Sequence, residues 1–202
     1  MNQTLLPRVV LATRNQGKVV ELRRILGGTV ELVGLDDVTP YEPCPETGAT
    51  FAENAVAKAL EAVERTGLPA VADDSGLAVD AMNGMPGVLS ARWAGRHGDD
   101  LANLELLLAQ VGDVPDKRRA AGFVCAAAYA LPDGRHEVVI GELRGTLLRA
   151  PRGSGGFGYD PLLVPEGLTV SCAELSAADK DAISHRGRAF RLLAPRLRAV
   201  LD

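Results

Sequence analysis

Ala70-Val71-Ala72-Asp73-Asp74-Ser75-Gly76-Leu77-Ala78-Val79 places two short apolar runs around two adjacent carboxylates, a hydroxyl and a glycine. An apolar run broken in this way predicts a buried strand ending in a tight turn. Two readings of its centre stand side by side. Asp, Ser and Gly are ordinary turn residues, which makes the cluster a surface turn. Alternatively, two carboxylates that would repel each other are held by a positive group. A hard cation such as Mg²⁺ suits them, because it prefers oxygen ligands and keeps water in its shell. The segments on either side have to decide.

The chain of 202 residues predicts one domain or two closely joined lobes, with enough length to bury a core. Hydrophobic content of 47% and charged content of 24% are those of a folded chain. Aromatics make up only 4%, so the core must rest on Ala, Val and Leu. A net charge of -4 lacks the basic footprint of a general nucleic-acid binder. An anionic ligand then needs local positive charge or a metal. Cys44, Cys125 and Cys172 form neither a disulfide framework nor a CxxC pattern. They predict a reduced, cytoplasmic protein. No signal pattern and no membrane-length apolar run is present, so no membrane partner is expected.

Upstream, Arg8 to Ala12 reads as a strand, and Thr13-Arg14-Asn15-Gln16-Gly17-Lys18 as a polar loop. Val19, Leu22, Ile25 and Leu26 then repeat at helical spacing up to Gly27-Gly28. Strand, polar loop and helix together aim backbone N–H groups and a positive helix end at the loop, a favourable place for phosphate. Lys18 adds a mobile charge in the first turn. The glycine framework of a P-loop is missing, so an ordinary βα loop fits equally well. Val30 to Val33 reads as a second strand, and Leu35 to Thr50 as a long loop carrying Glu46-Thr47-Gly48. Phe51, Ala55, Val56, Ala59, Leu60 and Val63 form one helical stripe ending at Gly67, with Thr50 and Glu53 as a capping box. Asn54 and Lys58 share a face of this helix.

Downstream, Asn83 to Gly87 is a turn, and Val88 to Gly95 a strand or an irregular segment. Asp99 or Asp100 caps a helix with the stripe Leu101, Leu104, Leu107, Leu108 and Val111. Phe123 to Leu131 and His136 to Leu143 form a hairpin around Pro132-Asp133-Gly134, and Gly145 to Leu148 extends the sheet. Pro151 to Pro161 is rich in glycine but also carries Phe157 and Tyr159, which is not linker composition. It reads as a binding loop with an aromatic face for a base. Thr169 to Leu175 is a short strand or turn. Ser176 and Asp179 box the start of a helix that holds Lys180, and Ser184-His185-Arg186 opens a last helix, with a kink expected at Pro195.

In this order the polar segments resemble the inosine triphosphate pyrophosphatases, the Ham1/RdgB-like purine nucleotide hydrolases. The resemblance is carried by Leu11 to Lys18, by Glu46-Thr47-Gly48 with Phe51 to Ala55, and by Ala72 to Leu77 with Pro86-Gly87 and Ser90-Ala91-Arg92. Gly155 to Pro161, Ala173-Glu174-Leu175 and Ser184 to Gly187 complete it. It implies one domain over 1–202 with an elongated, two-lobed α/β fold, a central mixed sheet flanked by helices and a nucleotide cleft between the lobes. It also implies a homodimer and Mg²⁺-dependent cleavage of ITP, dITP and XTP to the monophosphate and pyrophosphate. Asp74 is then general base and metal ligand, Glu46 a metal-site residue, and Asp73 a possible second carboxylate. Thr13, Asn15 and Lys18 hold the triphosphate together with Arg14, Gln16 and Gly17. Lys58, Ser75, Phe157, Gly158, Tyr159, Asp160, Lys180, His185 and Arg186 fall at substrate-binding positions. Arg14 stands where many relatives carry a small residue.

Three other readings remain open on the sequence. They are a Maf-like nucleotide hydrolase, a nucleotide-sensing module without catalysis, and a metal phosphatase releasing inorganic phosphate. The Gly-rich aromatic loop and Ser184-His185-Arg186 argue against the first, and the Asp pair against the second.

Overall fold

The computed structural model describes residues 6–26, 28, 30–38 and 40–201. Gly27, expected to help end the first helix, lies outside them. Among the described residues the six strands are β1 (Arg8–Leu11), β2 (Glu31–Gly34), β3 (Ala70–Val79), β4 (Ala120–Ala130), β5 (His136–Leu147) and β6 (Leu163–Pro165). The helices are α1 (Gln16–Leu26), α2 (Phe51–Thr66), α3 (Asp100–Gln110), α4 (Ala177–Ile183) and α5 (His185–Leu201). The strands form one mixed sheet in the order β2-β1-β3-β4-β5-β6. β1 is parallel to β2 and β3, while β5 and β6 are antiparallel. This is the α/β class expected from the sequence.

The chain divides into two compact units. The first holds the chain up to Asp74, Ala126–Gly141 and the chain from Arg186. One of its cores joins Val10, Ala70, Ala72, Ala126, Ala128 and Ala130 of the strands, with Ala12 just after β1, to Ala55, Ala59 and Ala62 of α2. The expected stripe on α2 is therefore rotated. Alanines line its centre, and Val56, Leu60 and Val63 are only partly buried at its flank. Small side chains let the helix lie close to the sheet, which is how a chain poor in aromatics packs densely. Thr50 caps α2 by accepting from the Glu53 N–H, as expected. The Glu53 carboxylate, however, accepts from the N–H of Ala49 rather than that of Thr50.

The second unit holds Ser75–Cys125 and Glu142–His185. Leu77 and Val79, Leu104, Leu107 and Val111 of α3, Phe123, Leu143, Leu147, Tyr159, Leu162, Leu163 and Cys172 build its core. Leu101, expected in the α3 stripe, is exposed because it lies at the first turn, before the helix meets this core. Asp99 is the α3 cap, accepting from Ala102 N–H. Val88 to Gly95 is not a strand: a 3₁₀ helix runs Gly87–Arg92. Cys172–Glu174 is also 3₁₀, in the segment read as a strand or turn. β6 was not anticipated, and α5 continues through Pro195. Arg119 is 2% exposed and donates to three carbonyls, those of Val111, Leu147 and Leu148. It ties β4, β5 and the end of α3 together without a carboxylate partner in those bonds.

The stretch around Asp73-Asp74-Ser75-Gly76 departs most from expectation. No turn forms there: all four residues lie inside the continuous strand β3. Propensity favoured a turn, but burial on both faces and paired partners for each carboxylate override it.

Candidate active site

Side chains along a strand point alternately to opposite faces. Ala70 and Ala72 pack on the alanines of α2, so Asp74 shares their face and Asp73 takes the other. Their partners agree with that assignment. On the α2 face, Asp74 Oδ2 accepts from Asn54 Nδ2 at 2.9 Å. Lys58 Nζ lies 3.5 Å from Asp74 Oδ1 and donates to Glu46 Oε1 at 2.7 Å. Asn54 and Lys58, four residues apart on α2, thus both reach Asp74. Asn54 Oδ1 accepts from the Gly48 N–H at 2.7 Å, which holds the Glu46 loop to the same helix. A side chain at Gly48 has no room, because a Cβ would sit 2.6 Å from Asn54 Oδ1.

On the opposite face, Asp73 Oδ2 accepts from Lys18 Nζ at 2.8 Å and from Arg186 Nε at 3.4 Å. Arg186 Nη1 donates to Glu21 Oε2 at 3.1 Å. Asp73, Glu21 and Arg186 are 1%, 3% and 4% exposed, so this is a buried ionic chain linking β3, α1 and α5. Removing one member of such a chain leaves uncompensated buried charge.

The two carboxyl groups titrate in opposite directions. Burial opposes ionisation of Asp73, but Lys18, Arg186 and Lys58 outweigh it and hold its carboxyl well below the usual range. Burial raises the Asp74 carboxyl; Lys58 pulls it down, the Glu46 charge pushes it up, and the net shift is upward. Burial depresses the Lys58 ammonium, but Asp74, Asp73 and Glu46 reverse that and raise it. Asp73 is a fixed anion. Asp74 is the carboxylate with proton affinity to spare.

α1 begins with Asn15 as its cap, whose Oδ1 accepts from Lys18 N–H at 3.1 Å. Asn15 N–H donates in turn to Thr13 Oγ1 at 3.2 Å. Arg14, Gln16 and Gly17 are exposed, and the Arg14 guanidinium donates to the Tyr41 carbonyl. A cavity of about 530 Å³ lies here, lined by Thr13, Arg14, Gln16, Arg23 and the Asp36-Asp37 pair among others. Lys18 is not mobile, since Asp73 pins its ammonium.

In the second unit, Asp160 accepts from Phe157 N–H at 2.8 Å and from Lys180 Nζ at 2.6 Å. The Lys180 ammonium also lies 5.1 Å from the centre of the Phe157 ring. Tyr159 is buried, with its hydroxyl donating to the Ser90 carbonyl at 2.9 Å. Asp160 and Tyr159 therefore build the loop, and Phe157 is its half-exposed aromatic face. His185 is 2% exposed and stacks on Phe123 with centroids 4.9 Å apart. Ser75 is half-buried in β3.

Within the first unit the structure joins Asp74 to Glu46 and Lys58, and Asp73 to Lys18 and Arg186. Asn54, Gly48 and Glu21 belong to these clusters and were not expected among the site residues. The Asn54–Lys58 spacing on one helix face was a usable signal for the first. Glu21 had only its place beside Leu22 in the buried stripe of α1.

Glu46 and Asp74 present two carboxylate oxygens to one ammonium, which occupies a position suited to a cation. Mg²⁺ accepts such a pair of hard donors, because it is usually held by one or two carboxylates plus water and substrate phosphates. Among the described residues no group of three or more His, Cys, Asp or Glu side chains is arranged as a metal cage. Glu46 and Asp74 are the residues here that could hold such an ion.

Residues 9–196 match the profile of the Ham1 family. A Streptomyces coelicolor protein named dITP/XTP pyrophosphatase is 62% identical over 197 residues, covering 96% of this chain and 98% of its own. A Nocardia farcinica protein of the same name is 62% identical over 199 residues, covering 96% and 97%. Among solved structures, a nucleoside-triphosphatase / dITP/XTP pyrophosphatase from Mycobacterium abscessus aligns at 57% identity with a TM-score of 0.78, over 93% of this chain and 99% of that one. The Ham1 protein of Staphylococcus aureus aligns at 38% identity with a TM-score of 0.85, over 95% and 98%. No helix among the described residues is long and apolar enough to cross a membrane.

Proposed function

The chain belongs to the Ham1 family, and we propose that it cleaves the deaminated purine nucleotides ITP, dITP and XTP to the monophosphate and pyrophosphate with Mg²⁺. It is a hydrolase acting on acid anhydrides. The observation that carries the proposal is the Glu46–Lys58–Asp74 cluster, in which two carboxylates share one cation and one of them, Asp74, has raised proton affinity.

Asp74 takes the proton of the attacking water, with Asn54 holding its other oxygen in place. Glu46 and Asp74 would hold Mg²⁺, which would supply charge stabilisation for the pyrophosphate leaving group. Lys18 and Lys58 offset phosphate charge, and the Asn15-capped start of α1 adds backbone N–H donors. Asp73 stays ionised throughout and anchors Lys18.

Base selection falls to the Phe157 loop. The ring stacks on a purine, and the neighbouring Lys180 ammonium is a donor suited to a 6-oxo group. Adenine offers an NH₂ there, and facing two donors leaves a polar group unpaired at about 1–3 kcal/mol. The enzyme works on the cytoplasmic nucleotide pool as a homodimer in this reading. A panel of dITP, ITP, XTP, GTP and ATP, scored for pyrophosphate and for phosphate, tests it. Release of pyrophosphate from the first three is expected. Equal turnover of ITP and ATP contradicts the base assignment.

A further inference from the structure

Phe157 stands between Gly156 and Gly158, both in the left-handed region at φ 72° and 61°. Glycine on each side leaves a ring free to swing unless the backbone around it is tethered. One tether is Asp160, which accepts from Phe157 N–H and is neutralised by Lys180. A second comes from a different element. Asp100, the first residue of α3, accepts from Gly158 N–H at 2.8 Å through Oδ2. Capping α3 does not require this carboxylate, because Asp99 already performs that task. Asp100 is exposed and 58 positions away in sequence. Its geometry serves the loop rather than a core.

We propose that Asp100 is a positioning residue for Phe157: by holding Gly158 N–H it presets the ring for the purine before substrate arrives. Ordering a recognition element in advance lowers the entropy cost of binding. The bond is made to backbone, so its effect falls on substrate binding and not on the chemical step at Asp74. The inference rests on the reading of the Phe157 loop as the base-binding element.

The test compares wild type, Asp100→Ala and Asp100→Asn by steady-state kinetics on dITP and by amide hydrogen exchange at Gly158. Asp100→Ala is expected to raise KM about fivefold with kcat almost unchanged, while Asp100→Asn, whose amide oxygen still accepts, stays near wild type. Exchange at Gly158 should quicken in the Ala variant alone. The rescue by Asn separates the tether from a helix-dipole effect, which both variants lose. An unchanged KM in Asp100→Ala, or an Asn variant as impaired as the Ala variant, overturns the proposal. Should wild type leave dITP uncleaved, the function reading falls instead. Exchange at Gly158 then decides the tether alone: quickening in Ala only supports it, and no change overturns it.

Discussion

Asp73 and Asp74 are neighbours in sequence, yet β3 turns their carboxylates to opposite faces of the sheet and gives each its own lysine, Lys18 and Lys58. Mutual repulsion is thereby resolved by separation and pairing, not by one cation between them. The two residues acquire different work. Asp73 joins a buried ionic chain, and Asp74 faces Asn54, Lys58 and Glu46.

Asp73 should dominate the acid limb of stability. Its folded carboxyl ionises well below its ordinary value of 3.8, so the unfolded chain binds the extra proton. The stabilisation is therefore present above about pH 4 and is lost as pH falls below it. Urea unfolding between pH 3 and 7 should show a steeper loss in wild type than in Asp73→Asn. At pH 7 that variant should be less stable by about 3 kcal/mol, because Lys18 and Arg186 lose their shared partner. Equal slopes in the two proteins would refute the assignment.

Gly48 should matter to the metal rather than to the fold. A methyl there meets Asn54 Oδ1 at 2.6 Å and Glu53 Cβ at 2.8 Å, which pushes the Glu46 loop off α2. Gly48→Ala should raise the Mg²⁺ concentration needed for half-maximal activity by about tenfold, as displaced supporting contacts do at metal sites. A Mg²⁺ titration at saturating dITP checks it. An unchanged requirement would separate the loop from the metal.

The thiols should differ sharply in reactivity. Cys44 is exposed, whereas Cys125 and Cys172 are buried. Burial, reinforced by the Asp160 charge, pushes the Cys172 thiol up to about 12. A thiol reagent at pH 8 should label Cys44 in the native protein and the other two only after unfolding. The raised value also has a stability sign. Between pH 9 and about 12 the unfolded chain loses the Cys172 proton while the folded chain keeps it, so this contribution falls as pH rises. Cys172→Ala should flatten that alkaline decline in a pH series of unfolding midpoints.

Local signals made much of this fold legible. Thr50 and Ser176 cap their helices as their spacing implied, and Pro132-Asp133-Gly134 joins β4 to β5. β3 shows where local reading stops. Asp, Ser and Gly favour turns, and what keeps them in a strand is distant: Arg186 is 113 positions from Asp73. A separation of 165 positions hid Glu21, which accepts from Arg186. Asp160 and Tyr159 fall at substrate-binding positions through the resemblance, and Tyr159 reads as an aromatic face. Their burial and their bonds to Phe157, Lys180 and Ser90 also tie them into the loop, which the sequence does not show. β6 was hidden by its three residues and its proline, too short for any pattern.

The division of labour between the two aspartates is tested most directly by measuring pyrophosphate release from dITP and the urea midpoint in the same preparations of wild type, Asp74→Asn and Asp73→Asn. Asp74→Asn is predicted to lose about 10²–10⁴-fold in kcat while keeping a midpoint near wild type. Asp73→Asn is predicted to lose stability first. Near-normal turnover in a well-folded Asp74→Asn protein would contradict the account.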